Sequence, residues 1–503
     1  MNDPVAPEHF DVLIVGAGIS GVGAGYHLLD QCPDKSFVIL EGLDSFGGTW
    51  WMHRYPGIRS DSDLYTFGYR FKPWTGAPIA SAEEILKYMG EVIEENHLDE
   101  HIRYNHWITD ARWSSQDQQW TIEGQRKDTA EPIRFTANFL WMCQGYYQHS
   151  QGYTPEWKGM ADYEGTIVHP QTWPEDLDYK DKNVLVIGSG ATTATVVPAI
   201  ADDCKHVTVL QRSPTYFIPG RNANLMADHL RELGIDEAWI HEIVRREILF
   251  LQQQFTQRAR DEPEAVKEEL LAGVKQYLPE DYNIDTHFTP GYRPWQQRIA
   301  FVPDGDIFKG IAAGKASMVT DEIDRFTKTG VLLKSGDTIN ADVVITATGF
   351  NLCVLGDIKF TVDNEPVDFA DTVTYRGMMF TGVPNMVWIF GYFRASWTLR
   401  VDLVSDFVCR LLNHMKEHGY SSVTPVLAAD EESMPKLSWM DPDNFNPNYL
   451  MRSMDKMPKR LDKPEWQHTQ DYWREKDELP GIDLEDPVFE YHQDQSQPVK
   501  LKA

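Results

Sequence analysis

Two short glycine-rich stretches carry residue types suited to holding phosphates. The first is Gly16-Ala17-Gly18-Ile19-Ser20-Gly21 and the second is Gly188-Ser189-Gly190-Ala191-Thr192-Thr193. Glycines at such spacing allow a tight turn and close backbone approach, and a helix that starts there points its free N–H groups at a pyrophosphate. The first turn follows an apolar run at residues 10–15 and precedes a helical pattern. A second apolar run at 37–40 ends at Glu41, about 20 residues beyond the turn, where a carboxylate meets ribose hydroxyls. That acid suits NAD or the AMP half of FAD. The second turn lies between apolar runs at 183–187 and 206–210. Its second strand ends in Gln211-Arg212-Ser213 rather than in an acid. A fixed cation beside a hydroxyl fits a ribose 2′-phosphate, so Arg212 and Ser213 point to NADPH over NADH. Threonine replaces the third glycine, which should set helix and strand slightly further apart.

These turns need scaffolds. Both apolar runs before the turns read as buried parallel strands, so the expected fold class is α/β with two Rossmann-type dinucleotide-binding domains. Ser81 and Glu84 form a capping box ahead of a helix with Ile85, Met89, Val92 and Ile93 on one face. Strand-like runs at 107–113, 120–122 and 133–135 suggest a β-meander. Residues 139–145 read as a return to the first sheet, and 343–350 as the matching return in the second. Residues 221–294 are charged, helical in pattern and longer than a dinucleotide-binding unit requires, so they read as a helical insertion. The expected organisation is a first FAD-binding part at 1–150, an NADPH-binding part at 151–220, the insertion at 221–294, the rest of the NADPH domain at 295–346, and a second FAD part at 347–503. The end of the chain, 485–503, is polar and expected to be loosely held.

Bulk properties narrow the partners. The 503 residues can bury a large core, and 42% are apolar. The formal net charge is −29, which disfavours nucleic acid and anionic membranes. Cys32, Cys143, Cys204, Cys353 and Cys409 are odd in number and scattered. No disulfide framework, redox pair or metal-ligand spacing stands out. The N-terminal residues MNDPVAPEHF carry no basic, then apolar, leader pattern. The expected location is cytoplasmic, with no metal, and no oligomeric state follows from the pattern.

Two further stretches bring a resemblance. Gly47-Gly48-Thr49-Trp50, followed by Arg54-Tyr55-Pro56-Gly57-Ile58-Arg59-Ser60-Asp61, is similar to the FAD side of flavoprotein monooxygenases, which favours FAD at the first turn. Tyr163-x-Gly165-x-x-x-His169-x-x-x-Trp173-Pro174 resembles the signature of type I Baeyer–Villiger monooxygenases, with Tyr in place of the usual Phe. The resemblance spans nearly the whole chain and is nearest to the ethionamide-activating branch. It implies that the signature joins the two cofactor domains, with His169 in interdomain hydrogen bonds and Trp173 at the seam. It places the catalytic arginine at Arg298, in Pro294-Trp295-Gln296-Gln297-Arg298, and its partner carboxylate at Asp61. Gln297 stands where the family often has Lys. The implied cofactors are FAD, held by Gly16, Gly18, Gly21, Glu41, Gly48, Thr49, Trp50 and Asp61, and NADPH, held by Gly188, Gly190, Thr192, Arg212 and Ser213. The implied reaction inserts one atom of O2 beside a ketone carbonyl to give an ester or lactone through a C4a-peroxyflavin. The protonated peroxide would convert thioethers to sulfoxides. An N/S-oxygenating flavin monooxygenase without ketone activity is the alternative. Trp397 falls in an aromatic stretch that suggests an apolar substrate pocket.

Overall fold

The computed structural model describes residues 7–493. The leader reading rests partly on residues 1–6, which lie outside that range, as do 494–503 of the polar tail. Among the described residues no helix is long and apolar enough to cross a membrane.

Two sheets organise the chain. In the first, Glu8–Val15 lies between Phe37–Leu40 and Pro132–Met142, all parallel, with Val15 opposite both Leu40 and Met142. The meander His106–Ser114, Gln119–Arg126 and Pro132–Met142 is antiparallel and continues this sheet. One expectation changes here. The separate strands at 133–135 and 139–145 are a single strand, Pro132–Met142. Between those two runs Thr136 is buried and bonds His9 Nδ1 at 3.0 Å, while the backbone carbonyl of Asn138 accepts from Asn385 Nδ2. Satisfied polar groups do not interrupt a ladder. Met386–Trp388 returns to pair with this same strand. The capping box forms in both directions, and Ile85, Met89, Val92 and Ile93 are all buried.

The second sheet is wholly parallel, in the order Ala316–Thr320, His206–Gln211, Asn183–Ile187, Val343–Thr346, Thr166–Val168. The last of these strands is the middle of the Tyr163–Pro174 segment. That segment is therefore an edge strand as well as a connector. Its three residues, Thr-Ile-Val, are too short a run to register as a strand without their partner. The insertion lies between Phe217–Gly220 and Ala300–Pro303 and contains the helices Leu225–Glu232, Glu237–Asp261, Pro263–Lys275 and Ile284–His287. Arg245 anchors it to the first unit by donating to the carbonyls of Tyr65, Thr66 and Gly68. The chain end departs from expectation too: Phe489–Gln493 pairs antiparallel with Tyr420–Pro425, and Phe489 is buried.

Between the sheets the chain crosses as Tyr147–Gly152 and comes back as Phe350–Leu352, and these two passages pair with each other. His169 closes the crossing. Its Nε2 hydrogen donates to the Gly349 carbonyl at 3.0 Å, and its Nδ1 accepts the Gln171 N–H at 3.1 Å. That pattern requires the neutral ring, and burial lowers its pKa accordingly. The imidazole lies flat on Gly152: a Cβ there would sit 2.0 Å from His169 Cε1. Gly152→Ala should therefore cost about 1–3 kcal/mol of stability through overpacking. In a His169→Ala background the same change should cost less than half as much, because the clashing ring is gone. Thermal or denaturant unfolding of the four proteins checks this; equal costs in both backgrounds would show that the ring is not the constraint.

Candidate active site

The strands of both units end at one cavity of about 580 Å³, lined by Gly16, Gly18 and Glu41 from the first unit and Gly190 and Thr192 from the second. Ligands of open α/β sheets bind outside the carboxyl ends of the strands, and here two such ends converge. At the first turn Gly21 is packed so closely that a Cβ would lie 1.8 Å from the Gly16 carbonyl oxygen. Thr193 holds the equivalent place in the second turn, where its hydroxyl donates to the Gly188 carbonyl at 3.0 Å. The larger residue is accommodated by a hydrogen bond inside the turn.

Glu41 is buried, and its two carboxylate oxygens accept the N–H groups of Ala17 (2.6 Å) and Leu43 (2.8 Å). Burial raises its pKa, against those two bonds. Each oxygen keeps a second acceptor site for a hydroxyl. The Gly47–Gly48 loop sits on the first turn through the Gly47 N–H to the Ala17 carbonyl, 3.0 Å. Thr49 and Trp50 follow on the cavity wall, with Trp50 edge-on to Phe67.

Arg298 and Asp61 also meet at this cavity. Arg298 Nη2 donates to Asp61 Oδ1 at 2.6 Å. About a third of each side chain remains reachable, and both groups line the cavity. Burial, the largest single influence, lowers the arginine's pKa, but Asp61 together with Tyr146, Tyr449 and Tyr147 outweighs it and the net shift is upward. The guanidinium is thus a permanent cation. Three phenols surround it: Tyr146, Tyr147 and Tyr449. Burial, first among the causes, holds all three protonated, with pKa values raised above that of a free phenol. Tyr146 donates to Tyr147 at 2.8 Å and stacks on Trp397, their rings 5.1 Å apart. Trp397 lines the cavity and donates to Ser20 Oγ at 2.8 Å.

The sequence reading did not single out these tyrosines. Tyr146 and Tyr147 stand just past the carboxyl end of Pro132–Met142, a position that could have flagged them. Tyr449 comes from a short helix far along the chain, Asn448–Met451, and carried no signal. Of the expected site residues, Gly16, Gly18, Glu41, Gly48, Thr49, Trp50, Asp61, Gly190, Thr192 and Arg298 share the cavity, whereas Gly21 and Gly188 lie in the turns behind it. Arg212 and Ser213 are exposed and outside it, although Ser189 Oγ ties the second turn to them through the Ser213 carbonyl at 3.1 Å. Among the described residues Arg212 has no carboxylate within ion-pair distance. Gln297 lines the cavity. The signature residues do not: Tyr163 bonds the Ala341 carbonyl at 2.9 Å, Gly165 lies against the Tyr163 hydroxyl, and Trp173 packs into the apolar cluster that contains Tyr55.

The cavity suits a large ligand with many polar atoms. His53 Nε2, Gln144 Oε1 and His149 Nδ1 are buried on its wall and have no hydrogen-bond partner. On a cavity wall such atoms are free to meet the polar atoms of a ligand. Their number and the glycine-backed turns match a dinucleotide. All five cysteines are free and buried, so no redox disulfide faces the cavity.

Comparison with known proteins agrees with this architecture. Residues 78–357 match the family described as flavin-binding monooxygenase-like. The FAD-containing monooxygenase EthA of Mycobacterium tuberculosis is 45% identical over 471 residues, covering 93% of this chain and 94% of its own. The probable FAD-binding monooxygenase AlmA of Acinetobacter sp is 40% identical over 487 residues, covering 96% and 97%. A solved structure of oxidized steroid monooxygenase bound to NADP superposes with a TM-score of 0.77 at 20% identity, over 97% of this chain and all of that one; at that identity it speaks for the fold alone. With nearly half of its residues shared with EthA over almost the whole length, the chain belongs to the flavin-binding monooxygenase-like family.

Proposed function

We propose that this protein is an FAD- and NADPH-dependent Baeyer–Villiger monooxygenase that converts ketones to esters or lactones and also oxygenates thioethers. The observation that carries the reading is the Arg298–Asp61 pair, 2.6 Å apart, in a cavity walled by both glycine-rich turns. The first sheet with residues 1–150 and 347–503 forms the FAD-binding part. Residues 151–220 and 295–346 form the NADPH-binding part around the insertion 221–294.

Overall, ketone, O2, NADPH and a proton give ester, NADP⁺ and water. FAD, once reduced by NADPH, supplies the activation of O2. The chain's own groups do the rest. Glu41 takes the ribose hydroxyls of FAD, and Gly16 and Gly18 let the backbone meet its pyrophosphate. Gly190 and Thr192 serve the NADPH pyrophosphate, and Arg212 with Ser213 its 2′-phosphate. Arg298 presents a fixed positive charge where negative charge develops on the substrate's carbonyl oxygen. Because it cannot release its proton, it stabilises that charge without quenching a nucleophile. Asp61 holds the guanidinium in one orientation. Tyr146 and Tyr147 form a short phenol relay beside it, able to donate a hydrogen bond and never an anionic base near neutral pH. The signature residues keep the two units in register through His169, a structural duty.

The test is product analysis with NADPH, O2 and either an aryl ketone or an aryl methyl thioether. Wild-type enzyme should yield ester and sulfoxide. Arg298→Ala should retain FAD and NADPH oxidation but form ester about 10²–10³ times more slowly, as loss of an oxyanion-type donor does. Undiminished ester formation in that variant would remove Arg298 from the reaction, and sulfoxide with no ester from any ketone would favour the purely N/S-oxygenating reading. For the second cofactor, Arg212→Ala should raise KM for NADPH about 10–100-fold, the loss of a charged hydrogen bond, and leave KM for NADH unchanged. Steady-state kinetics with both nucleotides decide this, and a parallel loss for NADH would move the 2′-phosphate site elsewhere.

A further inference from the structure

The helix Trp397–His418 ends in His414-Met415-Lys416-Glu417-His418. This four-residue spacing places both imidazoles on one face of the last turn, with ring centroids 4.3 Å apart. Glu485 comes to the same point from the segment ahead of the Phe489–Gln493 strand. Its Oε1 lies 3.2 Å from His414 Nε2 and 3.7 Å from His418 Nε2. Among the described residues this is the one group of three or more His, Cys, Asp or Glu side chains whose ligand atoms all lie within 4.8 Å of one another.

Two features make it more than a surface ion pair. His418 Nδ1–H donates to the His414 carbonyl at 2.9 Å, which leaves its Nε2 lone pair bare toward Glu485. Metal-ligating histidines are oriented in just this way, by a bond from the other ring nitrogen. His414 is mostly buried, its side chain 12% exposed, and its Nε2 has no hydrogen bond despite the nearby carboxylate. Its ring lies between those of His418 and Tyr491. A buried ring nitrogen without a partner, a lone pair fixed beside it and a carboxylate oxygen are three ligands in want of a cation.

We propose that His414, His418 and Glu485 bind one divalent transition metal ion of the zinc class, with the fourth position left to water. Two imidazoles and a carboxylate suit Zn²⁺, Co²⁺ or Ni²⁺ and not Mg²⁺ or Ca²⁺, which take oxygen ligands. None of the three residues lines the active-site cavity. The ion would pin the end of the long helix to the segment that leads into Phe489–Gln493, the strand that Tyr420–Pro425 already pairs. The histidine pair is visible in the sequence, but Glu485 reaches it only through the fold, so no metal was expected from spacing.

The test uses tag-free, chelator-stripped flavoenzyme and isothermal titration with Zn²⁺ alone. Wild type should take up one Zn²⁺ per chain and unfold at a higher temperature with the metal than without. Glu485→Gln, an exposed and nearly isosteric change, should weaken uptake at least about tenfold and abolish the thermal shift. His418→Ala should do the same, with unchanged flavin absorbance as the check on folding. Absence of saturable uptake by wild type, equal uptake by Glu485→Gln, or an equal response to Mg²⁺ would overturn the site.

Discussion

The pairing of Arg298 with Asp61 depends on two distant parts of the chain arriving at the same place, and much of the structure serves that arrival. Asp61 ends the loop that starts behind the first glycine-rich turn, and Arg298 follows the helical insertion. Two residues before Asp61, Arg59 donates to both oxygens of Asp306 (2.6 and 3.3 Å) and to the Ala194 carbonyl. One short loop of the first unit therefore makes two ion pairs with the second. Exposed ion pairs contribute little. These are partly buried, so their value lies in geometry: a misplaced loop would leave charges desolvated and unpaired, which is costly. The penalty for misdocking is larger than the gain from docking, and that asymmetry selects one arrangement of the two sheets.

The crossing strands answer the complementary need. Two sheets joined by single flexible passages could slide. Here Tyr147–Gly152 and Phe350–Leu352 are hydrogen-bonded to each other, and His169 holds the corner where they meet the second sheet. The signature that stood out in the sequence is thus about position, not chemistry. Its histidine has both ring nitrogens occupied by backbone groups, which leaves it no lone pair or proton for catalysis. Beyond this corner Tyr146 and Tyr147 line the cavity.

What was legible in the sequence follows the range of the forces involved. Strands flanked by glycine turns, such as Asn183–Ile187, and the capped helix Ala82–Glu95 are set by local pattern and appeared where expected. The cavity-lining glycines and Glu41 were legible because spacing along the chain fixes them. Thr166–Val168 and Ala316–Thr320 were not, since short edge strands are stabilised by partners far along the chain. The single strand Pro132–Met142 looked like two because the partners that satisfy Thr136 and Asn138 come from other elements. Phe489–Gln493 looked like tail because its apolar content is slight and its pairing is with residues 420–425. Arg298 and Asp61 were legible by resemblance alone: nothing in their local sequence distinguishes them from a surface cation and a cap. Tyr449 and Glu485 reach their sites across the fold and left no local trace.

The electrostatics of the cavity bear on which oxygenation it favours. The charge of Arg298 is balanced by Asp61, so this pair is neutral as a whole while presenting a cation at one defined place on the wall. Around it the acidic protons available are phenolic, and burial makes them less acidic still. A site of this kind stabilises an anion by charge without handing it a proton. An anionic oxygen donor attacks carbonyl carbon, whereas a protonated one is attacked by sulfur. On the proposed function, the balance between ester and sulfoxide is a question of proton supply at Arg298, and the supply is poor by construction: the guanidinium does not ionise, the phenols are held neutral, and His53, on the cavity wall with an unpartnered ring nitrogen, has its pKa lowered by burial. On the function proposed above, this arrangement favours ketone oxygenation, with thioether oxygenation proceeding to the extent that a proton arrives from outside the wall.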